Sequence, residues 1–211
     1  MSRWVPAALL ALAASGGVAQ ALPHRFDLPG GLKVSLREDP ERVLFRARLR
    51  VDLRPGDVPA GQEGLAQLAL RLIDRGRAGH LRPAAFDRAL DESGIQLTRR
   101  LTARAITWDL VCRNRDQDRA LALLADRVLR PVMDPSMLDP ERLACWREAQ
   151  PDLAMPEARL QAALDLEGPP PLTEAGLGRV AFKDVEAFRD RVFRPDRAEL
   201  LLEGDLGLEQ A

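Results

Sequence analysis

Gly64-Leu65-Ala66-Gln67-Leu68-Ala69-Leu70-Arg71-Leu72-Ile73-Asp74-Arg75-Gly76 is the stretch on which the fold turns. Leu65, Leu68, Ala69, Leu72 and Ile73 recur at i, i+3, i+4, i+7 and i+8, one apolar face at helical period. Gln67, Arg71 and Asp74 form a polar stripe with Leu70 beside it. Side chains four apart stack on one side of a helix, so whatever Gln67 and Arg71 do, they can do together. The stretch predicts a short amphipathic helix that organises the core.

On its N-terminal side, Leu32, Val34 and Leu36 alternate with polar residues after the Pro29-Gly30-Gly31 turn, as in a half-buried strand. Val43 to Leu53 is the clearest strand. Phe45, Ala47, Leu49, Val51 and Leu53 fall on one face, and Arg46, Arg48, Arg50 and Asp52 on the other. The arginines read first as a solvated sheet face and second as a basic cavity wall. Arg54-Pro55-Gly56-Asp57 ends this strand.

On the C-terminal side, Pro83 to Glu92 predicts a helix, with Pro83 in its first turn and Gly94 beyond its end. Ile95 to Leu101 and Ala103 to Cys112 predict a hairpin. Asp116 to Leu129 predicts a helix burying Ala120, Leu121, Leu123, Leu124, Val128 and Leu129, and Pro131 stops it. Pro140 to Gln150 predicts another, with Leu143, Ala144 and either Trp146 or Cys145 toward the core. Glu157 to Leu166 is helical, Gly168 to Pro171 a loop, Lys183 to Phe193 a helix on Val185, Phe188 and Val192, and Arg197 to Glu203 a closing strand. Strands interleaved with helix pairs give an α/β or α+β domain whose helices stack on one face of a mixed sheet.

The chain has 211 residues and a net charge of -1, so bulk charge points neither to nucleic acid nor to an acidic membrane. Residues 1–21 read as a secretory signal peptide: Arg3, an apolar run from Trp4 to Ala14, and the small-x-small site Ala19-Gln20-Ala21. An uncleaved N-terminal anchor is the other reading; on the first, residues 22–211 are one exported domain, periplasmic or secreted, with no membrane contact after cleavage. Export permits a disulfide between Cys112 and Cys145; two separate buried thiols are the other reading.

With these residues in this order, the chain resembles the N-terminal half-domain of the insulinase/pitrilysin family of inverted-zincin metallopeptidases, which includes mitochondrial processing peptidase. Leu28-Pro29-Gly30-Gly31-Leu32 is similar to the family's opening L-P-N-G-L. Arg54 to Asp57 followed by Gly64-Leu65-Ala66 resembles the approach to the catalytic helix. Asp139-Pro140-Glu141-Arg142 with Glu148 resembles the second catalytic helix. Phe182 to Phe188, Arg194-Pro195 and Leu200 to Asp205 resemble the closing helix and strand. The resemblance implies an α+β fold, a mixed β-sheet with helices packed on one face.

The family's first catalytic helix carries H-x-x-E-H, two zinc ligands one turn apart with the general base between them. On this chain the resemblance puts the first histidine at Gln67, the base at Leu70 and the second histidine at Arg71. The downstream glutamate ligand falls on Glu148, with Glu141 one repeat earlier. Gln is a poor zinc ligand, Leu accepts no proton, and Arg stays charged and coordinates no cation. His24 and His80, the two histidines, stand in unrelated segments. Catalytic residues, metal and cofactor are therefore expected to be none, with Gln67, Leu70 and Arg71 as degenerate positions and Glu141 and Glu148 as retained ones.

Two expectations follow about Arg71. Its guanidinium can pair with Glu148 and stand in for the metal's charge, or it can pair locally with Asp74. Ile95 to Arg100 replaces the Asn-Ala pair with which the family's edge strand holds substrate, so a bound peptide is left open. The function implied is an exported pseudopeptidase domain partnered by another half or subunit of the family. A stand-alone binding or scaffold domain is the alternative, and an active zinc endopeptidase with non-standard ligands is a third.

Overall fold

A computed structural model describes residues 23–149, 168 and 170–205. The expected signal peptide at 1–21 and the helical stretch at 157–166 lie outside the described residues.

Six strands form one mixed sheet: β1 (His24–Asp27), β2 (Lys33–Glu38), β3 (Leu44–Asp52), β5 (Gln96–Leu101), β6 (Ala105–Arg113) and β8 (Ala198–Gly204). Their spatial order is β1-β2-β8-β3-β6-β5. β2 and β8 run parallel, and every other neighbouring pair is antiparallel. Two two-residue strands, β4 (Arg77–Ala78) and β7 (Pro131–Val132), pair separately.

Alternation in β3 sets the two faces of this sheet. Phe45, Ala47, Leu49 and Val51 are buried, while Arg46, Arg48 and Arg50 are exposed. Leu49 sits between Trp108 of β6 and Leu200 of β8, so the apolar rows of three strands coincide on one face. Arg48 meets Asp109 at 2.5 Å and Arg50 meets Asp52 at 3.1 Å on the other face. The arginines thus form a solvated face. Arg48→Ala is expected to change unfolding free energy by less than about 1 kcal/mol in urea titration; a larger loss would mark a covered surface.

The helices are α1 (Leu65–Arg75), α2 (Pro83–Glu92), α3 (Gln117–Leu129), α4 (Leu138–Ala149), α5 (Glu174–Arg179) and α6 (Phe182–Val192). α1 is central and touches α3, α4, α5 and α6. This surround buries Ala66 and Leu70 as well as the five residues of the periodic face. The chain enters α1 through Gly64 at φ 107°, where a Cβ would also come within 2.7 Å of Leu177.

Several expectations need correction. The segment before β2 is a strand in its own right, β1, and α5 was not foreseen; Thr173 caps it by accepting from the Gly176 amide at 2.9 Å. Leu129 is 64 % exposed and Leu143 is 49 % exposed, although both were assigned to the core. Leu129 is the last residue of α3. On α4 the buried residues are Glu141 and Cys145, because that stripe faces α1. Cys112 and Cys145 are both buried free thiols, which settles the disulfide question against a bond.

Candidate functional site

The polar stripe of α1 faces α4 and the segment around Pro170. The Gln67 amide donates from Nε2 to the Pro170 carbonyl at 2.6 Å. Leu70 is fully buried and belongs to the core, so it does not join the site. The Arg71 guanidinium reaches both acidic residues of α4. Its Nε and Nη2 donate to one oxygen of Glu141 at 2.9 and 2.8 Å, and its Nη1 donates to Glu148. The second Glu141 oxygen lies 3.4 Å from Nε of Arg75.

Helical spacing produces this fork. Glu141 and Glu148 are two turns apart on α4 and so project on the same side, with Arg71 between them. The two carboxylates differ in setting: the Glu141 side chain is 7 % exposed and that of Glu148 is 68 % exposed. Burial pulls the Arg71 pKa down, but Glu141 and then Glu148 outweigh it and hold it above the usual arginine value. The guanidinium is therefore a permanent cation bonded to both carboxylates.

The local alternative for Arg71 is not what the geometry shows. Asp74 pairs instead with Arg99 of β5, at 2.8 Å. Burial raises the Asp74 pKa from its ordinary value, with Arg99 and Arg127 opposing it. Beside this network lies a cavity of about 600 Å³ whose walls include Gln67, Arg71, Arg99, Cys145 and Glu148.

Two arginines matter here that sequence reading passed over. Arg99 faces Trp108 across the β5–β6 ladder and so shares the apolar face of the sheet. The signal was present in the alternation of Leu97, Arg99 and Leu101. Arg127, 4 % exposed, donates through Nη1 to the carbonyls of Ile73, Asp74 and Gly76, closing the C-terminal end of α1. A charged residue among the leucines of α3 carries no local sign of that role.

The donor set does not fit a Zn²⁺ ion. The Arg71 guanidinium bonds to Glu141 and Glu148, the carboxylates that α4 brings there, Gln67 gives its amide N–H to Pro170, and the Leu70 side chain offers no oxygen or nitrogen. His24 and His80 are exposed, on β1 and on the turn after β4. Among the described residues no three His, Cys, Asp or Glu side chains converge as metal ligands.

Cys145, against the same cavity, is held as a thiol. Burial pushes its pKa up to about 11, with Arg71 the largest opposing influence, and burial does the same to Cys112. With so little thiolate, alkylation of either residue at pH 8 is expected to run on the order of 100-fold slower than that of a free cysteine. Mass spectrometry after timed iodoacetamide treatment measures this, and rapid labelling of the folded protein would contradict it.

No family model matches the sequence, and no curated protein matches it. The fold does match solved structures. A protease from Helicobacter pylori superposes with a TM-score of 0.76 at 16% identity, over 89% of this chain and 47% of that one. A peptidase M16 inactive domain from Pseudomonas fluorescens gives a TM-score of 0.69 at 18% identity, again over 89% and 47%. The periplasmic protease PqqL from Escherichia coli gives 0.75 at 11% identity, over 90% of this chain and 23% of that one. The chain thus has the fold of M16-type, insulinase-like structures and spans about half the length of the first two. Among the described residues no helix is long and apolar enough to cross a membrane.

Proposed function

We propose that this chain is a non-catalytic M16-like half-domain, exported by way of residues 1–21, which pairs with another half or subunit of the same fold. The observation that carries the reading is the Arg71 guanidinium bonded to Glu141 and Glu148. A cation that belongs to the chain binds α1 to α4 where the resemblance would put a metal. The place of a general base is taken by a buried leucine, whose side chain cannot accept a proton from water.

The pairing rests on a different support. The chain corresponds to about half of two of the structures it superposes on and to about a quarter of a third, and one of them is described as an inactive domain. β5 is the outermost strand at its end of the sheet, and a peptide could add to it through backbone bonds alone.

Pull-down from periplasm with residues 22–211 as bait tests the pairing. Recovery of a protein with an intact H-x-x-E-H helix is the expected result. Recovery of unrelated proteins alone would favour the scaffold reading. Metal analysis of the purified chain tests the other half: stoichiometric zinc, lost on Glu148→Ala, would overturn the non-catalytic assignment.

A further inference from the structure

A cavity of about 280 Å³ opens on the apolar face of the sheet, between α3 and the segment that joins α6 to β8. Leu49 and Val51 of β3 and Leu200 of β8 form its floor, with Leu49 beside Leu200 in the strand register. Leu121, Ala125 and Leu129 recur every four residues along α3 and line one wall. Leu121 and Ala125 are half-buried and Leu129 is exposed, so this apolar stripe is wider than the rest of the fold covers. Arg194 supplies the only polar side chain of the lining. A polar ligand group placed deep inside would lose its water without gaining a partner, so the walls select a hydrocarbon. The volume lies just under the usual range of small-molecule sites and suits a short chain.

We propose that this cavity binds a short alkyl carboxylate, chain inward and carboxylate at Arg194. The Arg194 side chain is 58 % exposed, so a ligand oxygen reaches it. Its Nε and Nη2 donate to Asp196 at 2.9 and 3.4 Å, and its Nη1 has no acceptor among the described residues. Bonding to Arg194 holds the Asp196 pKa below its ordinary value and the charge of Arg54 adds to this, so two arginines share that one acid. An anionic head group is therefore favoured at the mouth over a cationic one. An apolar side chain of a protein partner would fill the same walls but leave Nη1 to water. The site is separate from the Arg71 fork and does not depend on the pairing proposed above.

Calorimetric titration of the purified chain with butanoate, hexanoate and octanoate tests this. Affinity should rise about fourfold for each methylene buried. Octanoate is expected to bind at least about threefold more tightly than octylammonium, an advantage lost in Arg194→Gln. Ala125→Phe fills the cavity from α3 and should abolish octanoate binding, with circular dichroism confirming that the variant is folded. No octanoate binding up to about 5 mM, affinity that does not grow with chain length, or octylammonium binding equally well overturns the proposal. Octanoate binding unchanged in folded Ala125→Phe overturns it as well. So does N-acetyl-leucinamide binding as tightly as hexanoate, which would mark a seat for protein side chains. Arg194 is exposed, so if Ala125→Phe does not fold, the comparison of head groups in Arg194→Gln decides.

Discussion

Arg71→Met lowers the unfolding free energy by about 3–5 kcal/mol, and adding Glu141→Leu restores most of the loss. The single substitution leaves Glu141 buried, with Arg75 at 3.4 Å as its nearest remaining cation. Arg75 is 62 % exposed, and its weak hold places the effect toward the lower end of the range. Glu148 contributes little to the loss because it is 68 % exposed and water can resolvate it. The double variant removes both charges and fills the space with apolar atoms, which for a buried pair is often close to neutral. Urea denaturation of wild type, the two single variants and the double variant closes the cycle. A coupling energy near zero would show that the fork is ornamental and that other contacts hold α1 against α4.

Asp57→Ala is expected to be of similar size, about 3–5 kcal/mol, for a different reason. Asp57 is 4 % exposed and sits where the chain leaves β3 for α1. One carboxylate oxygen accepts from the Arg54 amide at 2.6 Å, closing the Arg54-Pro55-Gly56-Asp57 turn. Both oxygens accept from Arg197 Nη1, at 2.9 and 2.8 Å, and the Asp57 carbonyl accepts from Arg191 at 2.6 Å. The turn is thereby tied to α6 and to the start of β8, about 140 residues on in the chain. Removing the carboxylate strands Arg197, whose side chain is 11 % exposed. For a domain of this size the melting temperature should fall by about 10 °C. Asp57→Asn should fall between wild type and alanine, since it can still close the turn while losing the charge. A drop of less than about 3 °C for alanine would mean that the turn is held by its backbone alone.

How far these features could be read in advance differs by kind. α1, α2, β3 and the β5–β6 hairpin were legible because their apolar residues keep a strict period and their ends carry Gly or Pro. β1 was not, since a four-residue strand holds too few residues to show a period and His24, Arg25 and Asp27 are exposed. Leu143 and Leu129 misled for the opposite reason. Each is apolar, but the packing direction of a helix is set by its neighbours, and α4 turns Glu141 and Cys145 inward. The site was half legible. Gln67, Arg71, Glu141 and Glu148 could be named as one group through the resemblance, whereas Arg127 is an ordinary surface-type residue by local pattern, and the place of Arg99 showed only in its alternation with Leu97 and Leu101.

Sequence by itself determined that Gly64–Gly76 is a helix with one apolar face, and that its polar stripe carries Gln67 and Arg71 without a histidine or an acid between them. Those are properties of residue identity and of a 3.6-residue period, and no folding is needed to state them. Only the tertiary structure decided what Arg71 meets. Glu141 and Glu148 are 70 and 77 residues away along the chain, while Asp74 is a local competitor on the same helix. Packing α4 against α1 brought the two distant carboxylates into reach, and β5 presented Arg99 to Asp74. The packing of α3 likewise placed Arg127 at the carbonyl end of α1. Charge partners across such separations follow from which surfaces are pressed together, and that is settled by burial of the apolar faces rather than by the charges themselves.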